Sequence, residues 1–131
     1  HGEIDGKRKR FIAVTGGRVY GPKLQGKVLS GGGDWQAIAP GGLTEVMARY
    51  SFQANDGTVI GVTNIGVRTA TPEVIDKLAR GEAVDASLYY FRTNPTFDVR
   101  PGPHEWLRRK LFVARGIRMP DHVIVDFYVV D

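Results

Sequence analysis

Closely spaced turn signals constrain the fold of this 131-residue chain more than any other feature. Its seventeen glycines recur as punctuation, in groups such as Gly16-Gly17, Gly31 to Gly33, Asn55-Asp56-Gly57 and Pro101-Gly102-Pro103. Between these groups lie segments rich in β-branched and aromatic residues, which favour short strands. The pattern predicts a chain that repeatedly reverses direction as antiparallel strands.

Eight strands are predicted, with the Asp56-Gly57 hairpin as the clearest turn because that dipeptide suits positive φ. An eight-stranded sheet must protect its edges, and closure into a barrel does so. We therefore expect an all-β, mainly antiparallel fold: a closed or nearly closed barrel with one short helix and room for one small ligand. The predicted strands are Phe11 to Thr15, Lys23 to Leu29, Asp34 to Ala39, Thr44 to Gln53, Thr58 to Arg68, Leu88 to Val99, Lys110 to Arg118 and His122 to Val130.

One helix interrupts the strand pattern. Thr71 is suited to its N-cap, Pro72 to its first turn and Gly81 to its end. A helix this short does not stabilise a domain by itself, so we expect a lid or plug packed on the sheet, and a second helical turn at 104–108. The sequence shows no repeat or linker, so residues 1–131 are expected to form a single domain.

Charge and composition narrow the partners. The net charge is +4, and much of the excess lies in the run Lys7 to Arg10, which we interpret as a solvated edge. No aromatic residues alternate with this run, so we expect no nucleic-acid partner, although an oligomer-forming or nucleic-acid-associated role through it is an alternative. The chain has no cysteine and no apolar run long enough to cross a bilayer. We expect no membrane association and a cytoplasmic location.

Familiar catalytic signatures are absent from the sequence, including the Gly-x-Ser-x-Gly elbow, His-Glu-x-x-His and the phosphate-binding glycine loop. The three histidines, at positions 1, 104 and 122, lack metal-ligand spacing. We therefore expect neither a metal nor a cofactor.

Tyr89 to Thr93 is the densest cluster of functional side chains. In an extended strand Tyr90, Arg92 and Asn94 share one face, opposite Tyr89 and Phe91. That polar face suits a pocket for a carboxylate or phenolate, and a solvated sheet face is the equal alternative.

Arg49 raises a similar choice. If it points into a closed interior it needs a carboxylate partner, and Asp34 is the candidate. The alternative is an outward Arg49 loosely paired with Glu45.

Several motifs together resemble the domain of unknown function 3237 family, also called uncharacterised protein family 0311, over nearly the whole chain. They are Gly31-Gly32-Gly33-Asp34-Trp35-Gln36, Ala48-Arg49-Tyr50, Asp56-Gly57, Tyr89-Tyr90-Phe91-Arg92-Thr93, Trp106-Leu107 and Gly116-Ile117-Arg118. The resemblance implies a small single-domain β-barrel with a cavity lined by Asp34, Trp35, Arg49, Tyr90, Arg92 and Trp106.

The chain departs from the family pattern at three places. The family usually has an acidic residue where Met47 stands, Phe-Glu-Thr where Phe97-Asp98-Val99 stands, and Asn where Arg108 stands. Met47 would make that wall more apolar and leaves catalysis open. The family also implies one more strand ahead of His1, without which an edge could be covered by a second copy as a homodimer or higher homo-oligomer.

Our leading hypothesis is a small-molecule-binding barrel for an aromatic or polyketide-like metabolite. If it is an enzyme, it is a cofactor-free isomerase, cyclase or lyase in which Asp34 is the base and Tyr90 or Arg92 stabilises the oxyanion. The alternative is a non-catalytic ligand-binding or carrier module. In this hypothesis the apolar walls of the pocket are Trp35, Tyr50 and Trp106. The polar groups that hold the ligand are Arg49, Tyr90 and Arg92.

Overall fold

The computed structural model describes the backbone of residues 2–4 and 6–131, and the side chains of residues 6, 7 and 9–131. His1 therefore lies outside the described residues. Within them the chain forms ten strands, two short α-helices and a 3₁₀ turn at Ala86–Leu88. The strands are β1 (Gly2–Ile4), β2 (Lys7–Val14), β3 (Gly17–Val19), β4 (Gly26–Val28), β5 (Gly32–Ile38), β6 (Leu43–Ala54), β7 (Val59–Thr69), β8 (Tyr90–Asp98), β9 (Leu111–Arg118) and β10 (Val123–Val130).

All ten strands belong to one antiparallel sheet. Its main path runs β1-β2-β5-β6-β7-β8-β9-β10, while β4 pairs with the end of β6 and carries β3. The all-β, antiparallel prediction is confirmed. Among the described residues, however, no ladder joins β10 to β1 or β2, so hydrogen bonds do not close the sheet.

The β6–β7 hairpin forms at the predicted turn. Gly57 has φ of 92°, and the Oδ1 atom of Asp56 accepts a hydrogen bond from the Thr58 amide at 3.0 Å. The basic run, in contrast, was misjudged. Strand β2 begins at Lys7, so the run is part of a paired strand rather than a solvated edge. Alternation then turns Arg10, opposite Gln36, toward the inner face.

Helix α1 (Pro72–Ala79) confirms the predicted helix. The Thr71 hydroxyl caps it by accepting from the Val74 amide at 3.3 Å, and Gly81 follows with φ of 75°. Its Ile75 and Leu78 are buried. The second helical turn, α2 (Trp106–Arg109), lies slightly later than predicted.

Two apolar clusters occupy different levels of the inner face. The first is built on Phe52, Ala54, Ile60, Val62, Val99, Leu107 and Phe112. The second, under α1, is built on Val46, Leu78, Tyr89 and Phe91. Along β7 and β8, the inward positions between the clusters are held by Asn64 and Thr93, both buried. A polar level therefore separates two apolar ones.

Candidate functional site

The inner face also carries polar side chains, on β5, β7, β8 and β9. We call this set the polar belt, and it comprises Asp34, Gln36, Asn64, Arg68, Thr93 and Arg118. Asn64 and Thr93 lie between the two apolar clusters, whereas the register places Arg68 beside Phe91 of the second cluster. Alternation along each strand places these residues inward, as the register shows for Asp34 opposite Ala48 and for Ala48 opposite Asn64. The charge of Asp34 acts to raise the pKa of both Arg68 and Arg118, against the effect of their burial.

Arg68 is the most unusual member of the polar belt. It is 2% exposed, and its Nε and Nη1 atoms have no hydrogen-bond partner. Its guanidinium carbon lies 5.4 Å from the centre of the Phe91 ring. The pKa of Arg68 is lowered to about 10, chiefly by burial and then by the charges of Arg118 and Arg10, while Asp34 acts in the opposite direction. The group remains a buried cation at neutral pH.

Arg118 is a second, partly buried cation. Its Nη2 atom donates to the Leu78 carbonyl at the end of α1 at 3.3 Å, whereas Nη1 is buried without a partner. Its backbone amide donates to the Tyr89 hydroxyl at 2.9 Å. Burial, followed by the charge of Arg10, lowers the pKa of Arg118, and Asp34 acts in the opposite direction. The helix and the polar belt are thus joined through one guanidinium.

Asp34 is the carboxylate of the polar belt. Its Oδ2 atom accepts from Gln36 Nε2 at 2.9 Å, and its Oδ1 atom is buried without a partner. No ion pair within 4 Å joins it to Arg68 or Arg118 in the described structure. The inner face therefore carries the cations Arg10, Arg68 and Arg118 and the carboxylate of Asp34, and this excess of positive charge favours a bound anion.

Further oxygens of the inner face also lack partners. They belong to Gln36, Thr44, Asn64 and Thr93, through Oε1, Oγ1, Oδ1 and Oγ1 respectively. Buried polar atoms in proteins are mostly hydrogen-bonded, to water where no protein group reaches them. A concentration of unpartnered donors and acceptors on one face of the sheet is therefore favourable to bound water or a polar ligand.

The predicted site residues do not all meet here. Asp34 and Tyr50 lie on the inner face, Trp106 lies at one end of it, and the outer face carries Trp35, Arg49, Tyr90 and Arg92. The reason is alternation, because a residue next to an inward one on the same strand must point outward. Tyr90, for instance, is 52% exposed, and Arg92 stacks over its ring at 5.0 Å.

Of the two alternatives for Arg49, the register excludes the pairing with Asp34. Asp34 is opposite Ala48, so Arg49 points to the other side of the sheet. Arg49 points outward, as the other alternative has it. Glu45, however, forms its ion pair with Lys7, with Oε1 and Nζ 2.7 Å apart.

Tyr50 and Trp106 border the polar belt on its apolar side. Burial raises the pKa of Tyr50 to about 12, so its phenol stays neutral. Trp106 packs with Phe112 at a ring distance of 5.8 Å, and Lys23 Nζ lies 5.2 Å from the Trp106 ring. Both aromatic residues pack against the first apolar cluster.

Arg68 and Arg118 were missed from the sequence. The sequence did contain a signal for Arg68. Every second residue of β7 from Ile60 shares its face, and the first two of them, Ile60 and Val62, are apolar. Arg118 stood in a motif that carried the family resemblance, but its strand ends in less regular alternation.

Other candidate sites are weaker among the described residues. No three or more His, Asp or Glu side chains lie close enough to hold a metal ion. None of the described helices is long and apolar enough to cross a membrane. Surface depressions of about 340 and 250 Å³, lined by 57, 59 and 98–100 and by residues near α1, contain no member of the polar belt.

Comparison with known proteins places this arrangement in context. The model of the family "Protein of unknown function (DUF3237)" matches residues 1–130. A UPF0311 protein of Rhodopseudomonas palustris is 41% identical over 129 residues, which are 98% of this chain and 84% of the relative. A crystal structure of a conserved protein of unknown function from R. palustris superimposes with a TM-score of 0.91 at 40% identity, covering 95% of this chain and 83% of the other.

Two other solved structures share the fold. A β-barrel-like protein of Acinetobacter baumannii has a TM-score of 0.84 at 32% identity, covering 99% of this chain and 83% of its own. An enzyme of Penicillium herquei has a TM-score of 0.70 at 19% identity, covering 99% of this chain and 81% of its own. The second likeness shows the fold alone.

Proposed function

This chain belongs to the DUF3237 family, and from that premise we propose that it is a nearly closed, barrel-like domain that binds a small anionic metabolite in its interior and acts on it by cofactor-free acid/base chemistry. The observation that carries the proposal is the set of buried Asp34, Arg68 and Arg118 atoms that have no hydrogen-bond partner on the inner face of the sheet.

The ligand's charge follows from the two guanidinium groups. A buried cation without a partner costs several kcal/mol, which a bound anion offsets. Arginine donors match the planar oxygens of a carboxylate, and they also hydrogen-bond a phenolate or enolate oxygen. Arg68 offers Nε and Nη1, and Arg118 offers Nη1. The ligand class is therefore a small organic anion, with an aromatic or polyketide-like body against Tyr50.

Asp34 is the base of the proposed reaction. Gln36 holds its Oδ2 atom, which leaves Oδ1 as the oxygen able to accept a proton. Asp34 takes the proton from a carbon next to a carbonyl, and the C–H electron pair moves onto the carbonyl oxygen as an enolate. Arg68 and Arg118 donate hydrogen bonds to that oxygen. Return of the proton to another carbon gives isomerisation, and loss of a leaving group gives elimination.

Two sequence predictions change under this proposal. The oxyanion role passes from Tyr90 and Arg92 on the outer face to Arg68 and Arg118. The departure at Met47 loses its bearing on catalysis, because Met47 is 38% exposed on the outer face, opposite Trp35.

Binding is tested with a matched pair of probes, salicylate and its neutral amide, salicylamide. Salicylate should raise the melting temperature of the native protein and salicylamide should not. Arg118→Met should abolish the rise, whereas Arg115→Met, an exposed arginine three residues earlier on β9, should keep it. Equal effects of the two probes, or an unchanged rise in Arg118→Met, would contradict an anion site built on these arginines.

Catalysis is tested with phenylpyruvate, an aromatic and enolisable carboxylate whose enol absorbs in the ultraviolet. The native protein should accelerate its enolisation and the exchange of its CH₂ protons with D₂O. Asp34→Asn should lower the rate by about 10²- to 10⁴-fold while keeping the salicylate effect. Asp98→Asn on β8 is the matched control and should keep the rate. If the native protein binds salicylate but does not accelerate the exchange of the phenylpyruvate CH₂ protons, the proposed catalysis is wrong and the non-catalytic carrier is favoured.

A further inference from the structure

Four apolar side chains form a row across the outer face of the sheet, on the opposite side from the polar belt. The register places Phe11 opposite Trp35, Trp35 opposite Met47, and Met47 opposite Ile65, so the row crosses β2, β5, β6 and β7. The four are 41%, 43%, 38% and 54% exposed, in that order. We call these residues the outer row. Contiguous exposed apolar surface of this kind marks interaction sites more often than scattered apolar residues do.

The outer row presents a low, broad surface. The Phe11 and Trp35 rings pack edge to face with centres 5.0 Å apart, and the Phe11 ring lies over Gly33, where a Cβ would overlap it. On β5 the outward neighbours of Trp35 are Gly33 and Ala37, both small. No bulky side chain of β5 therefore holds a partner away from the indole.

Charges on β6 indicate what covers the outer row. Glu45 and Arg49 lie two residues to either side of Met47 on the same face. The Glu45 carboxylate is paired with Lys7, whereas no hydrogen bond or ion pair joins the side chain of Arg49 to another described residue. A two-fold axis along the outer row would bring Glu45 over Arg49 of a second copy, and Arg49 over its Glu45. The surface is thus complementary to itself in charge at these two positions.

We infer that two copies of this chain associate face to face through the outer row, with reciprocal Glu45–Arg49 ion pairs on either side. A two-fold interface uses the same patch on both copies, as this one does. Four half-exposed side chains bury less than the roughly 800 Å² per partner of a standard interface. The expected dimer is therefore of micromolar affinity.

A second apolar patch on the outer face is a less suitable interface. It consists of Leu111, Val113, Tyr128 and Val130 on β9 and β10. Its flanking charges are already paired within the chain, Arg115 with Asp126 at 3.5 Å and Lys110 with Asp131 at 2.9 Å. It has no unpaired charge for a partner to satisfy, and it supplies a matched control.

Sedimentation velocity of the full chain at a series of micromolar concentrations tests the inference. The native protein should show a concentration-dependent dimer. Met47→Glu should raise the dimer Kd by at least about tenfold, since two carboxylates would meet near the axis. Val113→Glu on the other patch should leave it unchanged. A native protein that stays monomeric, or equal effects of the two substitutions, overturns the inference.

A charge exchange distinguishes this geometry from other dimers. Glu45→Arg and Arg49→Glu should each weaken the dimer because like charges then face each other. The double variant restores opposite charges and should recover most of the affinity. Melting curves check that each variant folds. A double variant no tighter than either single variant contradicts the two-fold arrangement.

Discussion

Replacing Arg68 by methionine should stabilise the protein and, on our proposal, remove its ligand affinity. The pKa of Arg68 is lowered to about 10, chiefly by burial. At about 1.4 kcal/mol per pH unit, the difference from the ordinary arginine value means that the charged side chain lowers the free energy of unfolding by about 3 kcal/mol. Methionine has no charge to desolvate and fits along the same apolar path. The lost contact with the Phe91 ring offsets about 0.5 to 2 kcal/mol of that gain.

The net gain should be about 1 to 2 kcal/mol, which for a chain of this length raises the melting temperature by roughly 3 to 10 °C. Urea unfolding followed by circular dichroism measures the free energy, and the salicylate experiment measures the lost site. Arg92→Met is the matched control, because Arg92 stacks on Tyr90 on the outer face of β8. Its effect should stay within about 0.5 kcal/mol.

The pH dependence gives an independent check. Because the folded pKa of Arg68 is below its unfolded value, the unfolded chain binds more protons above about pH 10. The advantage of Arg68→Met over the native protein should therefore shrink as the pH rises through that value. If Arg68→Met is instead less stable than the control at neutral pH, Arg68 is satisfied within the folded chain and the reasoning for an anion site fails.

Three further substitutions test the architecture. Tyr89→Phe removes the acceptor of the Arg118 amide and should cost about 1 to 3 kcal/mol in urea unfolding, and an unchanged midpoint would mean that the amide has another partner. Gly116→Ala places a Cβ 2.6 Å from the Phe91 ring and should cost about 1 to 3 kcal/mol, unless the ring moves freely, in which case calorimetry will show no loss. Hydrogen bonds, first from the backbone amide two residues on, lower the pKa of Asp56, so its stabilisation is present above its unfolded pKa and is lost as the pH falls through its folded pKa. The stability gap between native protein and Asp56→Asn should narrow below about pH 4, and a gap that is constant with pH would contradict this.

Local signals predicted the elements of this fold well. The Asp56-Gly57 turn and the Thr71 cap each depend on a few adjacent residues, so their chemistry is legible in the sequence. The three-residue strands β1 and β3 are too short to show a period. Closure could not be predicted either, because it depends on how far the whole sheet curves.

The candidate site was harder to predict, because it depends on strand phase. A set containing both Asp34 and Trp35 cannot line one cavity, since neighbours on a strand point to opposite faces. Motif resemblance groups residues by sequence, whereas the polar belt groups them by face. Applying alternation from Ile60 onward would have found Arg68, but placing Arg118 on the same face required the register of the two intervening pairings, β7 with β8 and β8 with β9.

Strand β6 supplies both faces of the molecule, with Ala48 and Tyr50 inward and Glu45, Met47 and Arg49 outward. Substitution at positions 45, 47 or 49 is therefore expected to alter self-association without changing the inner face. Substitution at positions 46 or 48 is expected to alter the inner face without changing self-association. Ligand binding and self-association can therefore vary independently through substitutions in the same strand.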